Sequence, residues 1–372
     1  MAKTDSLMAA SGSHAAQQVV KLRLLRWLLP LGLLTLVLGL ALRQPELYSQ
    51  GSYVFGTRVQ LSISGGSAAE ARQAENAVFS LFEDMHHSLH AWQPSELKRM
   101  NVALAEGKTF TASARLVDIL RSAQALSRES QGLFDPGIGR LIQLWGFQDD
   151  QFNDSHFPTD AAVRALMAQH PSIADLQISA DGTVSSRKRV VAVDLGGYAK
   201  GWALDLAAAR LRQLGVNNAL IDVGGNLLAL GSKGGEPWQV GIQHPRTSGL
   251  LATLELQDGE AIGTSGDYYR YFSHGGIRYC HILDPRSGYP SQESQSVTVL
   301  ADPGVHAGAM SDGASKAPFI GGPSHALTLS RASGINKVLL VDAAGRVWLT
   351  HAMAARLHWP GSRPAIHWLD GG

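Results

Sequence analysis

The stretch AIGTSGDYYRYFSHGGIRYCHILDPRSGYP, residues 261–290, decides how the rest of the chain is read. Two short aromatic runs, 267–272 and 277–279, flank Ser273-His274-Gly275-Gly276. A Gly-Gly joint between alternating runs predicts a β-hairpin, because a two-residue turn needs positive φ. Ahead of the hairpin, Gly263-Thr264-Ser265-Gly266 reads as a small-residue loop whose amides and hydroxyls can cup an anion. Behind it, Cys280-His281-Ile282-Leu283-Asp284-Pro285-Arg286 brings an imidazole, a carboxylate and a guanidinium close together. An anion cradle, a base and a cation are the parts that phosphoryl-type chemistry needs.

Working outward, residues 296–300 read as a strand, and 305–320, VHAGAMSDGASKAPFI, as one helix of poor propensity with two glycines inside it. Upstream, the apolar run 190–194 reads as a strand that delivers Asp194-Leu195-Gly196-Gly197 to a helix over 198–214. Helix N-termini favour anions, and Lys200 in the first turn adds full charge. Strands are expected at 218–223 and 227–230, about Gly224-Gly225, with 238–242 and 250–256 continuing the same sheet.

Towards the N-terminus, 53–63 reads as a strand broken near its start by Phe55-Gly56-Thr57. From Ser67 an amphipathic helix extends, with Val78, Leu81, Phe82, Met85 and Leu89 at helical spacing. His86, His87 and His90 at its end read as a solvated terminus rather than a zinc pair. A helix starts at Pro94-Ser95-Glu96-Leu97, others cover 111–130 and about 160–169, and a short one reaches Trp145. Residues 148–160 read as a polar surface loop, and short strands meet at Asp181-Gly182. The chain closes with a helix over 324–332 and a hairpin through Asp342-Ala343-Ala344-Gly345. Short strands mixed with a few long helices, without regular βαβ alternation, predict an α+β fold with a largely antiparallel sheet. We assign one catalytic domain to residues 51–360.

The formal net charge is +1 over 372 residues. Residues 1–42 carry four basic residues against one acidic, a net of +3, which leaves the remainder at −2. A near-neutral body with no basic block excludes an electrostatic footprint for nucleic acid. Cys280 is the sole cysteine, which excludes an internal disulfide and a cysteine-rich metal site. Residues 1–20 read as a disordered cytoplasmic tail, and 21–43 as a signal anchor or signal peptide. Lys21, Arg23 and Arg26 precede the uncharged apolar run 27–42, too short for a full span of about 20 residues. An uncleaved anchor is the preferred reading of the two. The basic flank stays cytoplasmic, which sends the remainder of the chain across the membrane.

The ordered motifs resemble those of one family, the ApbE flavin transferases, or FAD:protein FMN transferases. The resemblance runs from Val54 to Gly322. It is carried by Val54-Phe55-Gly56-Thr57, Trp92-Gln93-Pro94-Ser95-Glu96-Leu97, Phe134-Asp135-Pro136, Asp194-Leu195-Gly196-Gly197-Tyr198-Ala199-Lys200-Gly201, Asp222-Val223-Gly224-Gly225 and the 261–290 stretch. It implies an enzyme that splits FAD at its pyrophosphate and joins FMN through a phosphoester to a Ser or Thr of a partner protein, releasing AMP. A FAD carrier or a metal-dependent FAD pyrophosphatase is the alternative. By resemblance, His281 is the base, and Phe55, Trp92, Leu133, Phe134, Asp135, Asp194, Lys200, Thr264 and Ser265 line the FAD site. Arg286 is a phosphate clamp or a salt-bridge partner of Asp284, and Cys280 is a packed small residue.

The family's A-D-x-x-x-T helix, whose Asp and Thr bind Mg2+, matches Asp312, with Gly197 as a further ligand. Lys316 stands where the Thr belongs. Three arrangements are open: Ser315 supplies the hydroxyl, Lys316 turns away, or its charge partly replaces the metal. Asp312-Gly313-Ala314-Ser315 also resembles a flavin-acceptor motif, which we read as coincidence rather than as self-flavinylation at Ser315. The implied partner is a flavin-accepting subunit of a membrane electron-transfer complex or a related maturation protein. The implied location is the bacterial inner membrane, with the catalytic domain in the periplasm.

Overall fold

The computed structural model describes residues 45–148 and 157–371. The predicted tail and the 21–43 segment therefore lie outside the described residues, as does most of the polar loop 148–160. No helix among the described residues is long and apolar enough to cross a membrane. The chain divides into the units Met1–Glu46 and Leu47–Gly372, and the second holds every strand and helix described.

A nine-stranded sheet forms the centre of that unit. Its strands are β1 (Leu47–Val54), β2 (Thr57–Ser64), β3 (Ala219–Val223), β4 (Asn226–Leu230), β5 (Ala261–Gly266), β6 (Ser294–Ala301), β7 (Lys337–Asp342), β8 (Val347–Leu349) and β9 (Ile366–Trp368). They lie side by side in chain order. Every neighbouring pair is antiparallel except β8 and β9. The α+β reading with a largely antiparallel sheet therefore holds. β1 and β9 reach beyond residues 51–360 at both ends.

Alternation along the strands explains the layering. In β6, Val297, Val299 and Ala301 face one core, while Leu300 faces another. In β7, Val338 and Leu340 face the first and Leu339 and Val341 the second. A strand that is apolar on both faces needs a cover on each side. Helices α1 (Ala68–Leu89), α2 (Glu96–Ala105) and α3 (Ala114–Glu129) contribute to the first core. A separate three-stranded sheet (Trp238–Gln243, Leu250–Leu256, Leu357–His358) supplies Trp238, Val240, Ile242, Leu254 and Leu256 to the second. The expectation that residues 238–242 and 250–256 continue the main sheet is thus corrected. Their inward side chains cap its far face rather than extend its edge.

Four further expectations change. Residues 53–63 form not one interrupted strand but the β1–β2 hairpin, turning at Phe55 and Gly56 with φ of 57° and 69°. Gly263-Thr264-Ser265-Gly266 is not a loop but most of β5, paired with β6. Residues 190–194 make only one bridge, Ile138 to Ala192. Their backbone is held instead by the Asn101 amide, which bonds both Val193 N–H and C=O at 2.8 Å, and by the Pro136 carbonyl at 2.8 Å from Asp194 N. With its donors and acceptors used this way, the run has no ladder to join. The predicted hairpin within 261–290 forms as read, Tyr271–His274 against Ile277–Cys280.

Short helices α4 (Gly139–Leu144) and α5 (Asp160–Met167) precede α6 (Ala199–Gln213), which packs into the first core. The fourth change lies at 305–320, where the predicted single helix is two, α7 (Ala307–Gly313) and α8 (Lys316–Gly321), with α9 (Pro323–Ala332) next in the chain. Pro318 has no N–H to continue a ladder. The Asp312 carbonyl meanwhile accepts from side chains, the Ser315 hydroxyl at 2.7 Å and the Lys316 ammonium at 2.6 Å.

α6 and α7 cross with almost no separation. A Cβ at Gly201 would lie 2.2 Å from the Gly308 carbonyl oxygen, and one at Gly308 would lie 2.5 Å from that of Gly201. α7 rests equally closely on the sheet, since a Cβ at Gly263 would lie 2.2 Å from the Ser311 carbonyl oxygen. The Asp205 carboxylate locks the crossing by accepting from Gly308 and Ala309 N–H at 2.7 and 2.8 Å. Gly201→Ala should therefore force the helices apart and destabilise the unit by roughly 1–3 kcal/mol or more. Urea unfolding monitored by circular dichroism checks this, and unchanged stability would show that the crossing gives way freely.

Candidate active site

The α6–α7 crossing creates the site, because it puts the first turn of α6 against the last turn of α7. Asp312 Oδ2 accepts from Gly201 N–H at 3.0 Å, and Oδ1 is ion-paired to the Lys316 ammonium. The carboxylate is almost wholly buried. Burial alone would raise its pKa, but Lys316 and then Lys200 outweigh burial and hold it below the usual carboxylate value. Lys316 extends from the start of α8 towards the glycine loop before α6. A Cβ at Gly197 would lie 3.3 Å from its Cε.

Around this pair stand the other groups expected from the sequence. Lys200 Nζ donates to the Gly196 carbonyl at 2.8 Å. In the same loop, Asp194 Oδ1 accepts from Gly196 N–H at 2.7 Å, and Oδ2 from the Trp92 indole N–H at 3.0 Å. The Trp92 ring is half-buried, with the Lys98 ammonium 5.9 Å from its centroid. From β5, the Ser265 hydroxyl bonds that of Ser315 at 2.7 Å, and the Thr264 hydroxyl bonds that of Thr298 at 2.9 Å.

His281 comes directly after the last strand residue of the hairpin. Its backbone N–H donates to the Arg270 carbonyl at 3.0 Å, and its ring Nδ1 lies 3.2 Å from the same oxygen. A carbonyl oxygen only accepts, so Nδ1 carries the hydrogen and Nε2 keeps its lone pair. Removal from water, then the positive charges of Arg270 and Lys200, push the imidazole pKa down to about 3 against the opposing Arg270 carbonyl bond, with Lys316 adding a lesser push. This histidine is neutral across the physiological range, where a free imidazole near ~6.5 is part-protonated. Cys280 is buried, its thiol against the Ile282 and Ser291 carbonyls at 3.7 Å each, a packed residue as expected.

Other expected contacts are used for structure. The Asp135 carboxylate accepts from Gly137 N–H at 2.7 Å and Ile173 N–H at 2.8 Å, Phe134 packs 5.5 Å from the Tyr198 ring, and Leu133 is buried. These three side chains hold the corner behind α6. Phe55 packs on Phe82 and His86. Arg286 makes a two-pronged ion pair with Asp284, with Nη2 at 2.7 Å, and is exposed. Of its two readings the structure takes the salt bridge. Ser315 is completely buried, so its hydroxyl is out of reach as a flavin acceptor.

The proposed Mg2+ ligands do not fit a divalent ion as they stand. Both Asp312 carboxylate oxygens already accept donors, and the Ser315 hydroxyl points to Ser265 and the Asp312 carbonyl. A cation on Asp312 would meet the Lys316 ammonium at close range, a repulsion of roughly several kcal/mol. Among the described residues no group of three or more His, Cys, Asp or Glu could hold a metal. Two contributors escaped the sequence reading. Arg270 sits inside an aromatic run that signals only a strand, and Gly201 reads as an ordinary helix residue.

The His281 shift fixes a pH dependence. An unfolded chain protonates this imidazole near ~6.5, whereas the folded protein resists it down to about 3. The contribution is complete above pH ~6.5 and is lost as pH falls through that window. His281→Gln should thus flatten the loss of stability between about pH 7 and 5, measured as the difference between variant and parent unfolding curves. Parallel curves would exclude a depressed pKa.

Comparison with known proteins adds a family. A family model described as the ApbE family matches residues 55–339. A protein of Rhodobacter capsulatus named FAD:protein FMN transferase is 39% identical over 309 residues, covering 83% of this chain and 58% of its own length. The chain thus spans less than two thirds of that relative. A Vibrio cholerae protein of the same name is 29% identical, covering 85% of this chain and 93% of its own. The crystal structure of the ApbE protein from Thermotoga maritima superposes with a TM-score of 0.74 at 26% identity, covering 84% of this chain and 99% of that one.

Proposed function

This chain belongs to the ApbE family, and on that footing we propose that it moves FMN from FAD to a Ser or Thr hydroxyl of a partner protein and releases AMP. The observation that carries the reading is the neutral His281, its Nε2 lone pair kept open, beside Lys200, Lys316 and Arg270. A diphosphate is the ligand such a cluster of cations favours, with the N-terminus of α6 adding partial positive charge. The relatives named FAD:protein FMN transferase support FAD as its source.

The acceptor hydroxyl oxygen attacks the phosphorus of the FMN half. His281 Nε2 takes the hydroxyl proton as the new P–O bond forms. The bond from that phosphorus to the bridging oxygen breaks, and AMP leaves with that oxygen and the electron pair. Ammonium groups offset the charge that gathers on the leaving phosphate. A low proton affinity in the resting site suits this role, because the anionic diphosphate supplies the charge that stabilises the imidazolium. We derive no step through Mg2+, since the residues that the family resemblance gives to it are engaged with one another.

The Trp92 edge and the Asp194–Gly196 loop stand on the same side of α6 as Lys200 and supply a stacking surface for the flavin. The basic flank of Lys21, Arg23 and Arg26 before the apolar run supports an inner-membrane attachment with the catalytic unit in the periplasm. A flavin-accepting subunit of a membrane electron-transfer complex, or a related maturation protein, fits that side of the membrane.

The test incubates the full chain with FAD and an acceptor domain carrying a D-G-A-T segment, then reads covalent flavin fluorescence on a denaturing gel. A fluorescent acceptor band is expected, and His281→Ala should weaken it by roughly a hundredfold or more while FAD still binds. The chain's own mass should stay unchanged, Ser315 being buried. Free FMN and AMP without a band would instead mean a pyrophosphatase, and bound, intact FAD a carrier.

A further inference from the structure

We infer that the Lys316 ammonium is the resident cation of this site, taking the position on Asp312 that the family resemblance gives to a divalent metal ion, so that the chain binds its diphosphate without metal. The inference deepens the flavin-transfer reading, and its FAD arm rests on it. Three separate contacts carry it. Lys316 Nζ is paired with Asp312 Oδ1 and donates to the Asp312 carbonyl at 2.6 Å, which seats the ammonium on two oxygens of one residue. The remaining carboxylate oxygen is held by Gly201 N–H at 3.0 Å, which ties the carboxylate to α6. The hydroxyl nearest in sequence, Ser315, is turned into the protein onto Ser265.

The lysine stem explains how the head reaches this place. It spans one helical turn, from position 316 back to 312, and passes over Gly197, where a Cβ would lie 3.3 Å from its Cε. A threonine at 316 is too short to reach the same oxygens and would leave Asp312 open to a metal. With a lysine there, Asp312 keeps one positive charge beside the loop without taking an ion from solution. Lys200, bonded to the Gly196 carbonyl, stands close enough to act on the same pair. Lys316 and Lys200 against the Asp312 carboxylate leave one net positive charge at the cradle, which favours an anionic diphosphate. A divalent ion added to them would be repelled rather than required.

The experiment uses the purified full chain and two probes. Manganese titration, monitored by the paramagnetic resonance signal of free Mn2+, should show no specific binding to the parent protein. Lys316→Thr should bind about one ion per chain, and adding Asp312→Asn should abolish that binding. FAD affinity, read by flavin fluorescence, should change less than about twofold between chelator and excess Mg2+ in the parent. In Lys316→Thr it should fall roughly tenfold or more in chelator and recover with Mg2+.

Stoichiometric Mn2+ on the parent, released by Asp312→Asn, would overturn the inference, and so would parent FAD binding lost to chelator. If Lys316→Thr does not fold, the two parent measurements decide alone. Should FAD bind under no condition, the flavin reading falls, while the Mn2+ titration still decides what occupies Asp312.

Discussion

The structure depends on one close approach, the glycine-to-glycine crossing of α6 and α7. Main chains meet there at a distance no side chain tolerates, and Asp205 supplies the carboxylate that satisfies the first N–H groups of α7. Burial holds that carboxyl up to about 7, against the lowering effect of those two N–H groups. Because the crossing is fixed, Asp312 can reach Gly201 N–H on the neighbouring helix. Gly263 applies the same constraint from below by letting α7 lie directly on β5. A site made this way inherits the rigidity of packed backbone, which is what a preorganised cradle requires.

Charge is the second organising principle. The site gathers Lys200, Lys316 and Arg270 around one buried carboxylate and one imidazole, and both of the latter show it. Lys316 and Lys200 draw Asp312 down despite its burial, and burial with the same cations drives His281 down. An aspartate left buried with no cation beside it would cost roughly several kcal/mol, so the charge on Lys316 offsets the burial of Asp312. Lys316 is neutralised in part by Asp312, and Lys200 adds further positive charge at the same place. This arrangement also accounts for a histidine that stays neutral.

The sheet is the platform for both. β6, buried along its whole length, runs through the middle and sends alternate side chains into two cores. The helical layer on one face carries α6 and α7, and the small sheet closes the other. The aromatic hairpin then brings His281 back beside the helix ends, anchored through the Arg270 carbonyl. No single segment holds the chemistry. It is assembled from the loop before α6, the hairpin, β5 and the α7–α8 junction.

The sequence by itself determined the elements with strong periodicity or strong punctuation. The Gly275-Gly276 hairpin, the helix after Ser67 and the antiparallel α+β class all come from local pattern, and so did the family resemblance and the importance of His281, Asp312 and Lys316. Tertiary structure alone decided the rest. Gly263-Thr264-Ser265-Gly266 looks like a loop because glycine and small residues disfavour strands, yet pairing with β6, the Asn226 side chain on Thr264 N–H and a helix above hold it extended. Residues 190–194 look like a strand, yet Asn101 and Pro136 take their hydrogen bonds. The partners that hold Asp135 and Arg286, Gly137 N–H and the Asp284 carboxylate, appear only in the folded chain. The seat of the Lys316 ammonium on Asp312 was likewise unreadable from spacing. It turns on where one lysine stem lies across Gly197, and that depends on a helix crossing made by residues about a hundred positions apart in the chain.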